Sequence, residues 1–293
     1  VNTTTPPFLA EPFKSAWQNK NVFAEVKKIS EAADKKNIFR EKEGRRTLRF
    51  LFKGEHKSQS YFLKYHQGVG WKEIFKNLVQ GREPILGARN EYYAAAKLKS
   101  LGVDTLTPVA YGCRGKNPAT QESFLITEDL ASTVSLEDYC RDWNIKRPPF
   151  RIKQALIKKV ATTAKQMHGQ GINHRDFYIC HFLLENNAET KIEKQENFHC
   201  YLIDLHRCQI RNKVPRRWLV KDLGGLLYST MDRGLTSRDY FRFIKTYTGR
   251  SLRPSLQDPL WKDVLVNAIR LYKKDFAKNP PLVFKKTVFK AGR

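Results

Sequence analysis

Apolar and polar residues follow two different rhythms in this chain. Up to about residue 130 short runs of strand-like spacing interrupt helical ones, and beyond it helical spacing dominates. Strand-like runs stand at residues 37–43, 46–52 and 60–65, parted by a turn at Gly44 and a polar loop over 53–59, the pattern of a meander. Ahead of them residues 1–36 form an extension, in which 12–29 has helical character through Phe13, Trp17, Val22, Phe23 and Val26. After the third run Trp71, Ile74, Phe75 and Leu78 recur at i, i+3, i+4 and i+7, which predicts an amphipathic helix. A further helix is predicted over 88–100, closed by Gly102 as a C-cap glycine. On it Glu91, Ala95 and Leu98 share a face, so Glu91 points toward the core side. Two more strands are predicted over 107–112 and 123–127.

Past residue 130, Ile152, Leu156, Val160, Thr163 and Met167 mark a long helix that ends near Gly169 and Gly171. Residues 186–197 are polar and read as a surface loop between two short strands. Helices are predicted over 221–231, over 236–248 and over about 260–276, before a basic tail. Thr236-x-x-Asp239 opens the second of these as a variant capping box. The predicted fold is α+β with two lobes: a small antiparallel-sheet N-lobe over 37–131 and a mainly helical C-lobe over 132–293.

Composition narrows the class. With 293 residues, of which 41% are hydrophobic, the chain can bury a substantial core. No apolar run approaches the roughly 20 residues of a membrane span. The first thirteen residues have no apolar segment behind a basic one, so no signal peptide is expected. Five cysteines, an odd number without a CxxC pair, point to a reducing compartment, and the chain reads as cytosolic. A formal charge of +25 exceeds what solubility requires and calls for an anionic partner. Residues 211–293 alone hold 20 Lys and Arg against 6 Asp and no Glu. Nucleic acid, an anionic membrane surface, a phosphorylated glycolipid or an acidic protein would each satisfy that charge.

The candidate chemistry lies in two runs, Ile172-Asn173-His174-Arg175-Asp176 and Leu202-Ile203-Asp204-Leu205-His206. Transfer of a phosphoryl group from ATP needs one carboxylate beside the attacking hydroxyl and another on the metal that shields the phosphates. Asp176 fits the first role and Asp204 the second, as a ligand to Mg²⁺. Lys64, on a strand, would reach the α- and β-phosphates, with Glu91 fixing its ammonium. At the end of the strand over 123–127, the carbonyl of Glu128 and the amide of Leu130 would read adenine. Singly each has a plainer reading: Lys64 on a wet strand face, Glu91 solvated, Asp204 closing a strand. Their occurrence together in the required order favours the kinase arrangement.

The chain also resembles a known family, the lipopolysaccharide core heptose(I) kinases. The resemblance rests on His174-Arg175-Asp176-Phe177-Tyr178-Ile179-Cys180-His181-Phe182-Leu183-Leu184, Ile203-Asp204-Leu205-His206-Arg207 and Val214-Pro215-Arg216-Arg217-Trp218. Glu43-Gly44-Arg45-Arg46-Thr47-Leu48-Arg49, Pro84-Ile85-Leu86-Gly87-Ala88 and Thr127-Glu128-Asp129-Leu130 add to it, so it spans about 11–248. It implies a protein-kinase-like fold, ATP with Mg²⁺, and phosphorylation of the first heptose of the lipopolysaccharide inner core at its 4-hydroxyl. It further implies work at the cytoplasmic face of the inner membrane of a Gram-negative cell, and association with acyl carrier protein, a small acidic partner. Within such a fold Asp222 of Lys221-Asp222-Leu223 would buttress the catalytic loop. Two departures from ordinary protein kinases stand out. His181 occupies the place of a metal-binding asparagine, where it would meet Mg²⁺, phosphate or a metal-bound water. Gly44 is the one glycine of the loop between the first strands, and Arg45 and Arg46 would there replace backbone amides by charge.

Rival readings remain on the sequence alone. Cys180, His181, His199, Cys200, His206 and Cys208 include zinc-ligand types, but at no standard spacing. A nucleic-acid binder would use the charge and the interleaved aromatics, yet leaves the aspartate pair unexplained. A kinase-like scaffold without catalysis, or a kinase of 3-deoxy-octulosonic acid or of a small alcohol, are the others. Arg211, Lys213, Arg216 and Arg217 are candidates for holding the anionic neighbours of an acceptor sugar.

Overall fold

The computed structural model describes residues 6–42, 44–54, 58–79 and 87–281. Glu43 and residues 84–86, which belong to the quoted resemblance, lie outside the described residues, as does the tail beyond 281. The chain divides into two compact units, Val1–Lys97 with Leu106–Ala131, and Leu98–Thr105 with Ser132–Arg293.

The first unit runs β1 (Phe8–Leu9), α1 (Phe13–Ala16), α2 (Val22–Glu31), β2 (Ile38–Lys42), β3 (Arg45–Lys53), β4 (Ser58–His66), α3 (Gly70–Val79), α4 (Arg89–Ser100), β5 (Pro108–Arg114) and β6 (Glu122–Glu128). Among the described residues the strands form a six-stranded antiparallel sheet in the order β1-β5-β6-β4-β3-β2. Alternation along β4 buries Tyr61, Leu63 and Tyr65 on one face and turns Lys64 to the other. β6 lies inside the sheet and is covered on both faces, which is why residues 123–127 are buried without alternation.

The predicted helix over 12–29 is two helices. Asn21 divides them by taking the amide of Ala24 on its side chain at 3.2 Å, an N-cap that starts α2 afresh. Both helices close the sheet's apolar face: Phe13, Trp17, Phe23 and Val26 form one cluster with Leu48, Tyr61, Leu63, Phe124 and Ile126. The ring of Phe13 meets those of Trp17, Phe52 and Tyr61 at 4.9, 4.5 and 5.0 Å. The extension therefore belongs to the core of this unit. α3 forms as its periodicity predicts, but its stripe is not a core face. Ile74 packs with Val69 and Ala119, while Trp71, Phe75 and Leu78 stay at least half exposed.

The second unit runs β7 (Thr133–Ser135), α5 (Leu136–Tyr139), α6 (Phe150–Gly169), β8 (Ile172–Asn173), β9 (Phe182–Glu185), α7 (Ala188–Glu193), β10 (Cys200–Leu202), β11 (Gln209–Ile210), α8 (Arg216–Thr230), α9 (Ser237–Thr248), α10 (Leu252–Gln257) and α11 (Pro259–Phe276). Its buried positions on α6 include the predicted Ile152, Leu156, Val160, Thr163 and Met167. The stretch over 186–197 is not a plain loop: α7 forms there because Ala188 and Ile192, four residues apart, are buried against the unit. Two small antiparallel pairings frame the aspartate runs. β8 pairs with β11, and β9 with β10. Gly171 precedes β8 at φ +74°, and a side chain there would collide with the backbone of Arg211, so this crossing needs glycine.

The capping box of α9 is formed. The carboxylate of Asp239, almost fully buried, accepts from the Thr236 amide and hydroxyl and pairs with Lys153 and Arg242 at 2.9 and 2.8 Å. Burial opposes its charge, but bonds from Thr236 and Lys153 outweigh burial and hold its pKa below the ordinary 3.8. A depressed carboxylate contributes stability above its unfolded pKa and loses it as pH falls through its folded one. Wild type should therefore lose stability below about pH 4 more steeply than Asp239→Asn, read from urea midpoints across that range. Truncation of Phe13 to Ala should cost about 3–5 kcal/mol in the same assay, far more than an extension outside the core would.

Candidate active site

In the first unit the candidate pair is Lys64 and Glu91. Strand alternation lifts Lys64 off the packed face, and Glu91, in the first turn of α4, meets it: Nζ lies 2.6 Å from Oε1. Glu91 is only 1% exposed, so the ammonium of Lys64 is what offsets the cost of burying it. Its second oxygen, Oε2, is buried and has no hydrogen-bond partner among the described residues. At the end of β6 the amide of Glu128 donates to the carbonyl of Thr107 at 3.0 Å, and the Asp129 carboxylate pairs with Arg49 at 2.7 Å. These bonds fix the stretch that holds Glu128 and Leu130. Arg46 is drawn inward instead of being offered to a ligand. Its guanidinium donates to the Ser30 carbonyl and pairs with Glu41 at 3.4 Å.

In the second unit the loop after β8 carries His174, Arg175 and Asp176. Asp222, fully buried on α8, accepts the amides of His174 and Arg175, at 2.6 Å on Oδ2 and 2.7 Å on Oδ1. One carboxylate thus ties down both residues that precede Asp176, and it does so where Arg175 takes a left-handed φ of +74°. His174 is fully buried, and burial pushes its pKa down, so the ring is neutral. Its Nε2–H donates to the Ile203 carbonyl at 3.0 Å, which joins this loop to the residue before Asp204.

Each aspartate is met by a cation or an imidazole. Arg207 Nη1 lies 2.9 Å from both oxygens of Asp176. Asp204, at a left-handed φ of +61°, meets His206 Nδ1 at 2.6 Å and faces His181 Nε2 at 3.6 Å. His181 gives its Nδ1–H to the Asp176 carbonyl at 2.7 Å, so one ring touches both aspartate segments. Burial disfavours the His181 imidazolium, but hydrogen bonds to Cys180 and to the Asp176 carbonyl overcome it and lift the pKa to about 9.

These residues suit a nucleotide with Mg²⁺. Within the first unit Lys64 is oriented by a buried carboxylate, as a phosphate-binding lysine would be, and within the second Asp204 keeps its carboxylate about one third exposed, as a cation ligand would. Among the described residues no three His, Cys, Asp or Glu side chains gather as an all-protein metal cage. Mg²⁺ needs none, because it takes one or two carboxylates and completes its shell with water and phosphate oxygens. The zinc reading has no such centre, since His199 binds Asp104 at 2.9 Å and His206 binds Asp204.

The model of the lipopolysaccharide kinase (Kdo/WaaP) family matches residues 30–247. The chain belongs to that family. It is 49% identical over 265 residues to the lipopolysaccharide core heptose(I) kinase WaaP of Escherichia coli K12, covering 90% of this chain and 96% of that one. With the enzyme of the same name from Pseudomonas aeruginosa PAO1 it shares 47% over 250 residues, 85% of this chain and 89% of the other. A solved structure of WaaP in complex with acyl carrier protein aligns at TM-score 0.77 and 41% identity, over 92% of this chain and all of that one. The fold is accordingly α+β and kinase-like, with an antiparallel-sheet unit and a mainly helical one, as predicted.

Some members of this lipopolysaccharide kinase's site were not assigned from its sequence. Arg207 stood inside a quoted motif without a role, and nothing local says that it reaches back to Asp176. Of the basic candidates, Arg211 is bound to Asn173 and Gln209, and Arg216 to Asp263. Asp222 holds two amides of the loop it was expected to buttress. Replacing it with Asn removes the charge and one of the two acceptors, so kcat should fall about 100-fold through loop misplacement. Thermal stabilisation by ATP should persist; an unchanged kcat would refute the buttress.

Proposed function

We propose that this kinase phosphorylates the first heptose of the lipopolysaccharide inner core at its 4-hydroxyl. The observation that carries the reading is near-50% identity to heptose(I) kinases along nearly their whole length. Asp176 accepts the proton of the acceptor hydroxyl as that oxygen attacks, and Arg207 keeps the carboxylate aligned for it. Lys64 holds the phosphates of the nucleotide and Glu91 holds Lys64. The Glu128 carbonyl and Leu130 amide take the adenine edge. Asp204 would hold Mg²⁺, which would supply neutralisation of phosphate charge. His181, raised toward its charged form, is suited to donate to a phosphate oxygen in preference to ligating the ion.

The charge of +25 supports an anionic glycolipid acceptor, an acidic carrier protein such as the partner in the WaaP complex, and peripheral docking at the cytoplasmic face of the inner membrane. No helix among the described residues is long and apolar enough to cross a membrane. The exposed Trp71, Phe75 and Leu78 of α3, with Lys72 beside them, suit such a surface.

The test is transfer of labelled γ-phosphate from ATP to core glycolipid lacking heptose phosphate, in Mg²⁺, with the product mapped by mass spectrometry. Wild type should label the first heptose, and Asp176→Asn and Asp204→Asn should each lose at least about 100-fold. Label on 3-deoxy-octulosonic acid would replace the acceptor. ATP binding without transfer to any core sugar would favour a scaffold.

A further inference from the structure

The face of the sheet that carries Lys64 also carries an aromatic pair that the core does not use. Alternation along β4 buries Tyr61, Leu63 and Tyr65 and turns Phe62 and Lys64 together to the opposite face. The ring of Phe62 meets that of Phe39 on β2, with centroids 5.3 Å apart and an interplanar angle of 48°. Phe39 reaches it from a bulge: Ile38 faces Leu48 and Arg40 faces Thr47, so Phe39 is the extra residue of β2. Bulges re-aim a side chain, and this one leaves a ring 63% exposed on an edge strand. Neither ring belongs to the cluster that α1 and α2 close. An uncovered ring at a sheet edge invites pairing with other chains, and core packing gives no reason to keep it.

The pair stands between the two ends of one candidate site. Two residues along β4 from Phe62, about 7 Å at the rise of a strand, Lys64 is aimed by Glu91. In the neighbouring strand Phe62 is in register with Thr127, the residue before Glu128. On β3, Arg49 lies opposite Phe62 and is fixed by Ser60 and Asp129 at 2.8 and 2.7 Å. An aromatic surface is thus framed by the lysine proposed for phosphate and by the stretch proposed for the adenine edge. A nucleotide has the same order of chemistry: charged phosphates, a ribose, and a flat π-system with a polar edge. All of these residues belong to the first unit.

We infer, resting on the kinase reading above, that Phe62, backed by Phe39, is the stacking platform for the purine of the bound nucleotide. The ring of Phe62 takes the flat face of the base, whereas Glu128 and Leu130 read only its edge. Edge hydrogen bonds are exchanged against bonds to water and bring little net affinity, so the stacked face carries most of the grip on the base. Phe39 props the Phe62 ring from the edge strand through their tilted contact. The apolar surface left open on this face is covered when nucleotide is bound.

The test separates base from phosphates with two partial ligands, adenosine and tripolyphosphate, each titrated calorimetrically in Mg²⁺ beside ATP. Phe62→Ala should raise the Kd of ATP and of adenosine about 10-fold and leave that of tripolyphosphate unchanged. Lys64→Met should do the reverse, weakening tripolyphosphate and sparing adenosine. Phe62→Tyr, which keeps the π-face, should bind adenosine as wild type does, and the acceptor KM should not move in either Phe62 variant. Phe39→Ala, at an exposed position, should give a smaller rise in the same two constants. Should Phe62→Ala fail to fold, Phe62→Leu, apolar but without a π-face, decides by the same comparison. Equal losses of adenosine and tripolyphosphate would make the ring a mere prop of the strand and overturn the platform. So would unchanged adenosine binding in a folded variant that lacks the ring. A wild type that binds neither ATP nor adenosine would instead remove the kinase reading, and the platform with it.

Discussion

The carboxylate of Asp222 is the constraint on which the candidate catalytic segments of the second unit depend. Buried beyond the reach of water, it holds the amides of His174 and Arg175 on separate oxygens. A buried carboxylate without partners is costly, and so are two buried amides without an acceptor, so each side requires the other. The loop thereby tolerates the left-handed backbone at Arg175. Asp176 follows directly, so its position is inherited from α8. The neutral ring of His174 carries the constraint on to the Asp204 segment through the Ile203 carbonyl.

Charge is arranged so that each group proposed to act in catalysis has an oriented partner. Glu91 aims Lys64, Arg207 spans both oxygens of Asp176, and His181 and His206 flank Asp204. Such pairs offer little net stability against apolar replacements. Their value is alignment, because phosphoryl transfer asks mainly for positioning and for charge placed in advance.

Two elements show where local pattern and tertiary environment part. The stripe of α3 has the period of a buried face, yet among the described residues Ile74 is buried while Trp71, Phe75 and Leu78 stay at least half exposed, so the period fixed the helix and not its burial. In α7 the reverse holds. A polar, charged stretch forms a helix because Ala188 and Ile192 are enough to seat it. The N-terminal extension, with no strand of length, still supplies the ring that meets Trp17, Phe52 and Tyr61.

By itself the sequence determined five of the six strands of the sheet, all but the short β1, the long helices α6, α9 and α11, and the order of Lys64, Glu91, Asp176 and Asp204 along the chain. These are properties of local period and spacing, and a period of two or of 3.6 is decided by residues a few positions apart. Tertiary structure alone decided that Arg207 closes on Asp176 across 31 positions, and that the amide of His174 meets Asp222 across 48. It also decided which basic residues are tied down. Ion pairs and caps of this kind depend on the path of the chain through space, and a reading of local pattern has no access to that path.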